Sequence, residues 1–389
     1  MNIKLNENFE NLGGGYLFSE IAARVGAYKS RNPQKDVISL GIGDLTRPLA
    51  PSVAQEMSRA AAEMGREGGF VGYGDTLGLP ELRNKISQSY RARGIELDAS
   101  EIFISDGAKS DLGNLCDVLG DNEILIFDPI YPVYLDSNII SGRKVRLLSA
   151  NNYGDFLPSP EELEKKPFVI YLCSPNNPTG ATFSRSEMQK WVDFALESGS
   201  LIIFDAAYEA YIRDSALPHS IFEMQGAKDC AIEVCSFSKS AGFTGVRCGF
   251  TAIPSQSPLH SLWKRRQSTK FNGASYISQR GALAALSPSG MKENQTNIDY
   301  YMQNARLLAD FLDKKGIFFT GGVNAPYLWA KHPCGMTSWE FFNYVLHHAQ
   351  VVITPGDGFG VAGAGFFRLS AFASRENTIC AINRLYDVL

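Results

Sequence analysis

The chain has 389 residues, a net charge of −4 and seven cysteines, none at CxxC spacing. Its length predicts two domains, and the absence of a basic tract argues against nucleic acid as a partner. The scattered cysteines exclude a disulfide framework or zinc site and favour a cytoplasmic enzyme, and no apolar run reaches the ~18 residues of a membrane helix. The polar residues 1–12 resemble neither a signal peptide nor a transit peptide.

The first eighty residues predict short elements joined by glycine-rich turns. The elements are an arm over 1–15, a helix over 16–29, a strand over 37–40 and a helix over 51–64. Gly43 follows the strand, and glycine there permits close backbone approach to a ligand, although an ordinary tight turn has the same composition. Tyr73 lies among glycines in a loop that can reach a ligand or a partner chain.

From about residue 100, short apolar runs alternate with helical stretches. The runs cover residues 102–104, 124–127, 168–172, 201–204 and 232–235. This rhythm predicts an α/β fold with a mostly parallel sheet covered by helices on both faces. In such sheets ligands bind at the carboxyl ends of the strands.

Polar motifs follow several of these predicted strands. Ala108 and Lys109 open a helix, where backbone amides can hold a phosphate. Tyr131 can stack on a flat cofactor ring, or it is a core tyrosine. The turn at 174–180 follows the third strand. Asp205 ends the fourth strand, and a buried carboxylate there needs a partner such as a protonated pyridine nitrogen.

Residues 236–249 carry the most specific signal. Lys239 lies where a buried strand gives way to a glycine-rich turn, so desolvation is expected to lower its pKa, as a Schiff-base lysine requires. Ser236, Ser238 and Arg247 can hold a dianionic phosphate. A lysine beside a phosphate cradle indicates pyridoxal 5′-phosphate (PLP), whereas a surface lysine in a flexible loop is the alternative.

The last hundred residues change rhythm. Helices are predicted over 300–315 and 339–348, strands over 327–330 and 366–370, and a helix at the end. We therefore predict a small α+β domain formed by residues 16–48 and 287–389, beside a large PLP-binding domain over 49–286. Arg368 is either a member of a buried ion pair or a fork for a carboxylate.

Three motifs, together and in this order, resemble the PLP-dependent aminotransferases of the aspartate aminotransferase fold: Asn-Asn-Pro-Thr-Gly, Asp-Ala-Ala-Tyr, and Ser-Phe-Ser-Lys with Arg247 eight residues later. The resemblance implies catalytic roles for three residues: Lys239 as Schiff-base lysine and proton shuttle, Asp205 as partner of the pyridinium nitrogen, and Tyr208 at the ring's phenolic oxygen. The other implied cofactor contacts are Asn177, Tyr131, Ala108, Lys109, Ser236, Ser238, Arg247 and, from the neighbouring subunit, Tyr73. Arg368 would grip the substrate α-carboxylate, helped by Gly43 and Asn177.

Several stretches resemble the LL-diaminopimelate aminotransferases more closely: residues 14–18, 106–111, 238–247, 271–275, 322–327 and 355–360. This resemblance implies a homodimer with shared active sites that moves an amino group between L-glutamate/2-oxoglutarate and LL-2,6-diaminopimelate/tetrahydrodipicolinate, in lysine and peptidoglycan precursor biosynthesis. The distal end of the substrate would be bound by Tyr16, Lys109 and Tyr131, and by Asn272 of the partner subunit.

One position departs from that pattern. Thr76 stands where the family usually has a glutamate, and Asp75 lies beside it. The sequence leaves open whether Asp75 supplies the carboxylate or whether stereochemical discrimination is looser. It also leaves open an aminotransferase for aromatic or aspartate-like amino acids. A non-enzymatic regulator is disfavoured, because the set Lys239, Asp205 and Arg368 is intact and no helix-turn-helix extension is present.

Overall fold

The structure, a computed structural model, describes residues 3–150, 154–333 and 335–389. Its strands are β1 Ile38–Ser39, β2 Ile102–Ser105, β3 Ile124–Asp128, β4 Val145–Ser149, β5 Val169–Cys173, β6 Leu201–Asp205, β7 Ala231–Ser236, β8 Gly249–Ala252, β9 Phe319–Gly321, β10 Tyr327–Lys331, β11 Val351–Val352, β12 Thr354–Pro355 and β13 Phe366–Ser370. Its helices are α1 Leu17–Arg31, α2 Pro51–Met64, α3 Pro80–Arg91, α4 Ala108–Asn114, α5 Val133–Ile140, α6 Arg185–Ser198, α7 Ala227–Cys230, α8 Phe237–Ser240, α9 Pro258–Lys270, α10 Tyr276–Ala285, α11 Pro288–Lys314, α12 Ser338–Ala349 and α13 Arg375–Tyr386.

The large sheet has seven strands in the order β2-β8-β7-β6-β5-β3-β4. Neighbours from β7 to β4 are parallel, and β8 runs antiparallel to both β7 and β2. The central strands β5 and β6 are almost wholly buried, as continuous apolar runs between two layers of helices require. The predicted α/β class with a mostly parallel sheet is confirmed.

The strands β4 and β8 were not among the predicted ones. β4 lies at the sheet edge and is half exposed, so its sequence lacks a buried apolar run. β8 is fully buried but only four residues long, and it begins with Gly249 directly after a glycine-rich turn. Short strands that begin at a glycine carry little signal in a single sequence.

A small antiparallel sheet follows in the order β12-β13-β10-β9, and β1 pairs in parallel with β11. One hydrophobic cluster joins Leu17, Ile21 and Leu40 to apolar residues between 298 and 385. Residues from both ends of the chain therefore share a core, as expected for the small α+β unit. The domain boundaries at 48/49 and 286/287 stay a prediction.

The helix starts follow local capping rules. α2 spans its predicted residues and has Pro51 in its first turn, where the missing N–H costs nothing. α11 is 27 residues long and longer than predicted, because Ser287 caps it and Pro288 occupies its first position. No helix within the described ranges combines the length and hydrophobicity needed to cross a bilayer.

Candidate active site

A cavity of about 320 Å³ lies at the carboxyl ends of the central strands of the large sheet. Asp205 and Ser236, the last residues of β6 and β7, line it together with the first turn of α4. Every residue predicted to contact a cofactor, except Tyr73, lines this cavity: Ala108, Lys109, Tyr131, Asn177, Asp205, Tyr208, Ser236, Ser238, Lys239 and Arg247. These residues lie close together because the carboxyl ends of parallel strands meet at one edge of the sheet.

Lys239 lies in α8, immediately after β7, and is half-buried in the cavity wall. Its Nζ donates a hydrogen bond to the carbonyl oxygen of Gly43. The pKa of Lys239 is lowered to about 8, mainly by burial; Asp44 opposes this shift, and the positive charges of Arg368 and Arg247 contribute to it. A large fraction of this amine is therefore neutral near pH 8, as a nucleophilic lysine requires.

Asp205 is a buried carboxylate without a cationic partner among the described residues. Its Oδ2 accepts a hydrogen bond of 2.6 Å from the hydroxyl of Tyr134, and its Oδ1 accepts one of 3.0 Å from the Ala207 amide. Burial raises the pKa of Asp205. A protonated pyridine nitrogen is the kind of partner that such a carboxylate lacks.

Tyr134 was not among the predicted site residues. It lies three positions after Tyr131 on α5, and the two rings meet edge to face with centroids 5.9 Å apart. Tyr131 precedes α5, in a turn in which the Tyr134 amide donates to the Tyr131 carbonyl oxygen at 3.3 Å, and the spacing of three across this turn was the available signal. Burial raises the pKa of the Tyr131 phenol.

The side of the cavity that was predicted to bind a phosphate is formed by hydroxyls and a guanidinium. Arg247 Nη1 donates to Ser238 Oγ at 3.0 Å, and Ser236 Oγ accepts from the Ser238 amide at 3.1 Å. Gly107 is needed beside them, because a Cβ there would lie only 2.3 Å from Arg247 Nη2. Arg247 forms no ion pair within the described ranges, so its charge is available to an anion.

Arg368, on β13, is only 1% exposed. Its Nη1 donates to Asn177 Oδ1 at 2.5 Å, and its Nη2 donates to the Gly41 carbonyl at 2.7 Å. Its Nε has no hydrogen-bond partner, and no carboxylate in the described part of the chain pairs with it. Of the two interpretations left open by the sequence, the carboxylate fork is favoured, because a buried unpaired charge is costly.

Two predicted distal contacts meet at the edge of the cavity. Lys109 Nζ donates to the hydroxyl of Tyr16 at 2.9 Å and lies 4.5 Å from the centre of its ring. Tyr16 also lines a second cavity of about 400 Å³, which extends along Gly13 to Gly15. Lys109 and Tyr16 therefore lie between the two cavities, at a point that a long substrate can reach.

Five predicted site residues do not line this cavity: Tyr16 and Arg368, described above, and Tyr73, Asn272 and Gly43. Tyr73 is 91% exposed and Asn272 is exposed, so their assignment as contacts to a neighbouring subunit stays a prediction. Gly43 does not line the cavity but contacts it through Lys239. Asp75 Oδ2 accepts from Arg83 Nη2 at 2.9 Å, so its charge is already compensated.

The largest cavity described, about 550 Å³, lies behind the site and shares only Ser236 and Ala207 with it. It contains none of Lys239, Asp205 and Arg368. Among the described residues, no cluster of three or more His, Cys, Asp or Glu side chains is arranged to hold a metal ion.

The carboxyl edge of the large sheet brings together Lys239, the buried carboxylate of Asp205 and the guanidinium of Arg247, and Arg368 reaches this edge from the small sheet through its hydrogen bond to Asn177. An amine, a carboxylate and anion-binding arginines in this arrangement are what a PLP-dependent transaminase requires. Residues 35–385 match the family Aminotransferase class I and II, and the chain belongs to this family, whose members use PLP.

Comparison with curated relatives indicates which group of aminotransferases the chain resembles most. The chain is 49% identical to the LL-diaminopimelate aminotransferase of Lachnospira eligens, over 98% of this chain and 99% of the relative. It is 50% identical to that of Prochlorococcus marinus, over 99% and 100% of the two chains. The solved L,L-diaminopimelate aminotransferase from Chlamydomonas reinhardtii is 40% identical, with a TM-score of 0.95 over 100% of this chain and 99% of that one. The closer resemblance seen in the sequence is confirmed.

Proposed function

We propose that the protein is an aminotransferase that moves an amino group between L-glutamate/2-oxoglutarate and LL-2,6-diaminopimelate/tetrahydrodipicolinate. The observation that carries the proposal is the buried guanidinium of Arg368, which has no carboxylate partner among the described residues and donates a hydrogen bond to Asn177 in the wall of the cavity that Lys239 and Asp205 also line. This arrangement supports binding of an amino-acid carboxylate next to a Schiff-base lysine. The choice of substrate rests on relatives named LL-diaminopimelate aminotransferase at 49–50% identity over nearly the whole chain.

PLP fits the residues that line the cavity. When bound, PLP supplies an aldehyde that captures amines and a ring that withdraws electrons from the substrate α-carbon. Asp205 would hold a proton on the ring nitrogen, and Tyr208 and Asn177 would bind the phenolic oxygen. Ser236, Ser238 and Arg247, with the amides at the start of α4, would hold the phosphate.

Lys239 is the group that moves a proton. Its amine would hold PLP, and a substrate amine would displace it and leave Nζ free. Because the pKa of Lys239 is lowered to about 8, the free Nζ would be able to accept the proton from the substrate α-carbon and to donate it on the other side of the substrate nitrogen. The keto acid leaves before the second substrate binds, so the kinetics should be ping-pong.

The two substrates share a carboxylate at each end. Arg368 would bind the α-carboxylate of either one, and Lys109 with Tyr16 would bind the distal one. Tyr131 and Asn272 of the partner subunit complete the proposed distal contacts. We include in this proposal a cytoplasmic homodimer with shared sites, acting in lysine and peptidoglycan precursor biosynthesis.

The test is a direct comparison of amino donors. The purified protein with PLP is given 2-oxoglutarate and LL-diaminopimelate, meso-diaminopimelate, L-aspartate or L-phenylalanine, and glutamate is measured. We expect the highest kcat/KM with LL-diaminopimelate, and a kcat/KM lower by roughly 10²–10⁴-fold in a Lys239→Ala control. Higher kcat/KM with phenylalanine or aspartate would instead assign the broader aminotransferase function.

A further inference from the structure

Tyr327 connects the small sheet to the proposed cofactor site. It is the first residue of β10, is 1% exposed, and pairs with Ser370 on β13, two residues beyond Arg368. Its hydroxyl lies 2.8 Å from the hydroxyl of Tyr208. Among the described residues, Tyr208 is the only hydrogen-bond partner of this hydroxyl. No role for Tyr327 was predicted from the sequence.

The rest of the Tyr327 side chain is fixed by groups of the same site. Its ring centre lies 4.3 Å from the Cζ of Arg368. Its hydroxyl packs against Gly43, where a Cβ would come within 2.5 Å of it. The carbonyl of Gly43 in turn accepts the hydrogen bond from Lys239. The Tyr327 hydroxyl therefore has little freedom to turn away from Tyr208.

The protons of the two phenols decide what this contact can do. A phenol donates one hydrogen bond and accepts others through its oxygen. Burial raises the pKa of both Tyr208 and Tyr327, so each keeps its proton in the working range of the protein. If Tyr208 donates its proton to the ring oxygen of PLP, its own oxygen is left to accept, and the donor within reach is Tyr327.

We propose that Tyr327 is a positioning residue that donates a hydrogen bond to Tyr208 and so strengthens the hydrogen bond from Tyr208 to the cofactor's phenolic oxygen. The inference rests on the proposed PLP function and goes beyond it. Hydrogen bonds in a chain polarise one another, so the first bond makes Tyr208 a better donor. A better donor stabilises the negative charge on the ring oxygen. An oxygen whose charge is already stabilised attracts the proton on the Lys239 nitrogen less strongly, so this nitrogen should lose its proton at a lower pH.

Loss of the proton from the Lys239 nitrogen changes the visible absorption band of the PLP-loaded protein. A pH titration of this band therefore gives the pKa of that nitrogen as its midpoint. Tyr327→Phe removes the hydroxyl and keeps the ring over Arg368. The hydrogen bond from Tyr327 stabilises the anionic ring oxygen more than its neutral form, so its loss should raise the titration midpoint, by at most about one pH unit. A general loss of packing would not move this midpoint in a fixed direction.

A double-mutant cycle shows whether Tyr327 acts through Tyr208. Tyr208→Phe should raise the midpoint more than Tyr327→Phe does, and adding Tyr327→Phe to it should cause no further rise. Tyr300→Phe is the matched control, because it also deletes a hydrogen-bonded hydroxyl, one that accepts from the Arg375 amide and does not touch Tyr208. Its midpoint should equal that of the parent.

An unchanged midpoint in Tyr327→Phe would overturn the inference, as would an equal rise in the parent and Tyr208→Phe backgrounds. If Tyr327→Phe does not fold, 3-fluorotyrosine at position 327 gives a more acidic donor of nearly the same shape. The midpoint should then fall, and a constant midpoint would refute the proposal. A parent protein with no visible PLP band would instead overturn the proposed function itself, and this inference with it.

Discussion

Replacing Arg368 with lysine tests the central assignment of the site. The lysine keeps the positive charge at a position that is 1% exposed, but it loses the planar fork that reaches Asn177 and Gly41. PLP should still bind, because its proposed contacts lie on other elements. The substrate α-carboxylate should lose one of its two charged hydrogen bonds.

The size of the effect follows from these contacts. One charge-assisted hydrogen bond contributes about 1.5–3 kcal/mol, and an acceptor left unpaired at Asn177 or Gly41 adds about 1 kcal/mol. The loss of roughly 2.5–4 kcal/mol corresponds to a fall in kcat/KM of about 10²–10³-fold, since each 1.36 kcal/mol is tenfold. Both half-reactions should suffer alike, because diaminopimelate and glutamate present the same α-carboxylate.

The assay is single-turnover reaction of the PLP-loaded protein with each donor, read from the loss of its visible band. Arg59→Lys is the control, since Arg59 forms exposed ion pairs with Glu56 and Glu63 and should keep the parental rate. Parental kcat/KM in Arg368→Lys with both donors would show that Arg368 does not bind the α-carboxylate. A loss confined to one donor would show that Arg368 binds the α-carboxylate of that donor only, and that the other donor binds in a different position.

Four further predictions concern the chemistry and the dimer. Lys239→Ala should retain PLP noncovalently while transamination falls roughly 10²–10⁴-fold, and parental turnover would refute its role. Because burial lowers the pKa of Lys239 from 10.5 to about 8, attachment of pyridoxal to the apoprotein should accelerate with rising pH and level off above about pH 8, and a midpoint near 10.5 would contradict this. Mixed dimers of inactive Lys239→Ala and Tyr73→Phe or Asn272→Ala chains should regain activity, and their inactivity with heterodimers demonstrated would exclude shared sites. The parent should prefer LL- over meso-diaminopimelate but use both, and Thr76→Glu should reduce activity on the meso isomer, so an unchanged isomer ratio would count against this.

The sequence predicted the elements whose signal is local and strong. The central strands of the large sheet are continuous apolar runs, and each is followed by polar residues such as Asp205 or Ser236, so both the sheet and its ligand-binding edge could be inferred. Helix α2 could be bounded because Pro51 marks its first turn. These inferences needed no contact between distant parts of the chain.

The sequence could not predict contacts between distant segments. Tyr134 donates to Asp205 across 71 positions, and Tyr327 meets Tyr208 across 119. From the sequence, each of these tyrosines would be predicted to be an ordinary core residue, because its neighbours in sequence are apolar. Only the packing of α5 and β10 against the strand ends gives the two hydroxyls their partners.

Asp75 illustrates how such a contact changes an interpretation. The sequence left open whether Asp75 substitutes for the glutamate that the related enzymes usually have at the position of Thr76. In the structure its Oδ1 accepts from the Leu77 amide at 2.9 Å and its Oδ2 pairs with Arg83, so the carboxylate ties this glycine-rich turn to α3. Diverting it to a substrate ammonium would leave the guanidinium of Arg83, whose side chain is only 12% exposed, without its counter-charge. The structure therefore favours the other alternative, in which no carboxylate of this turn fixes the distal ammonium and discrimination at the distal stereocentre is looser.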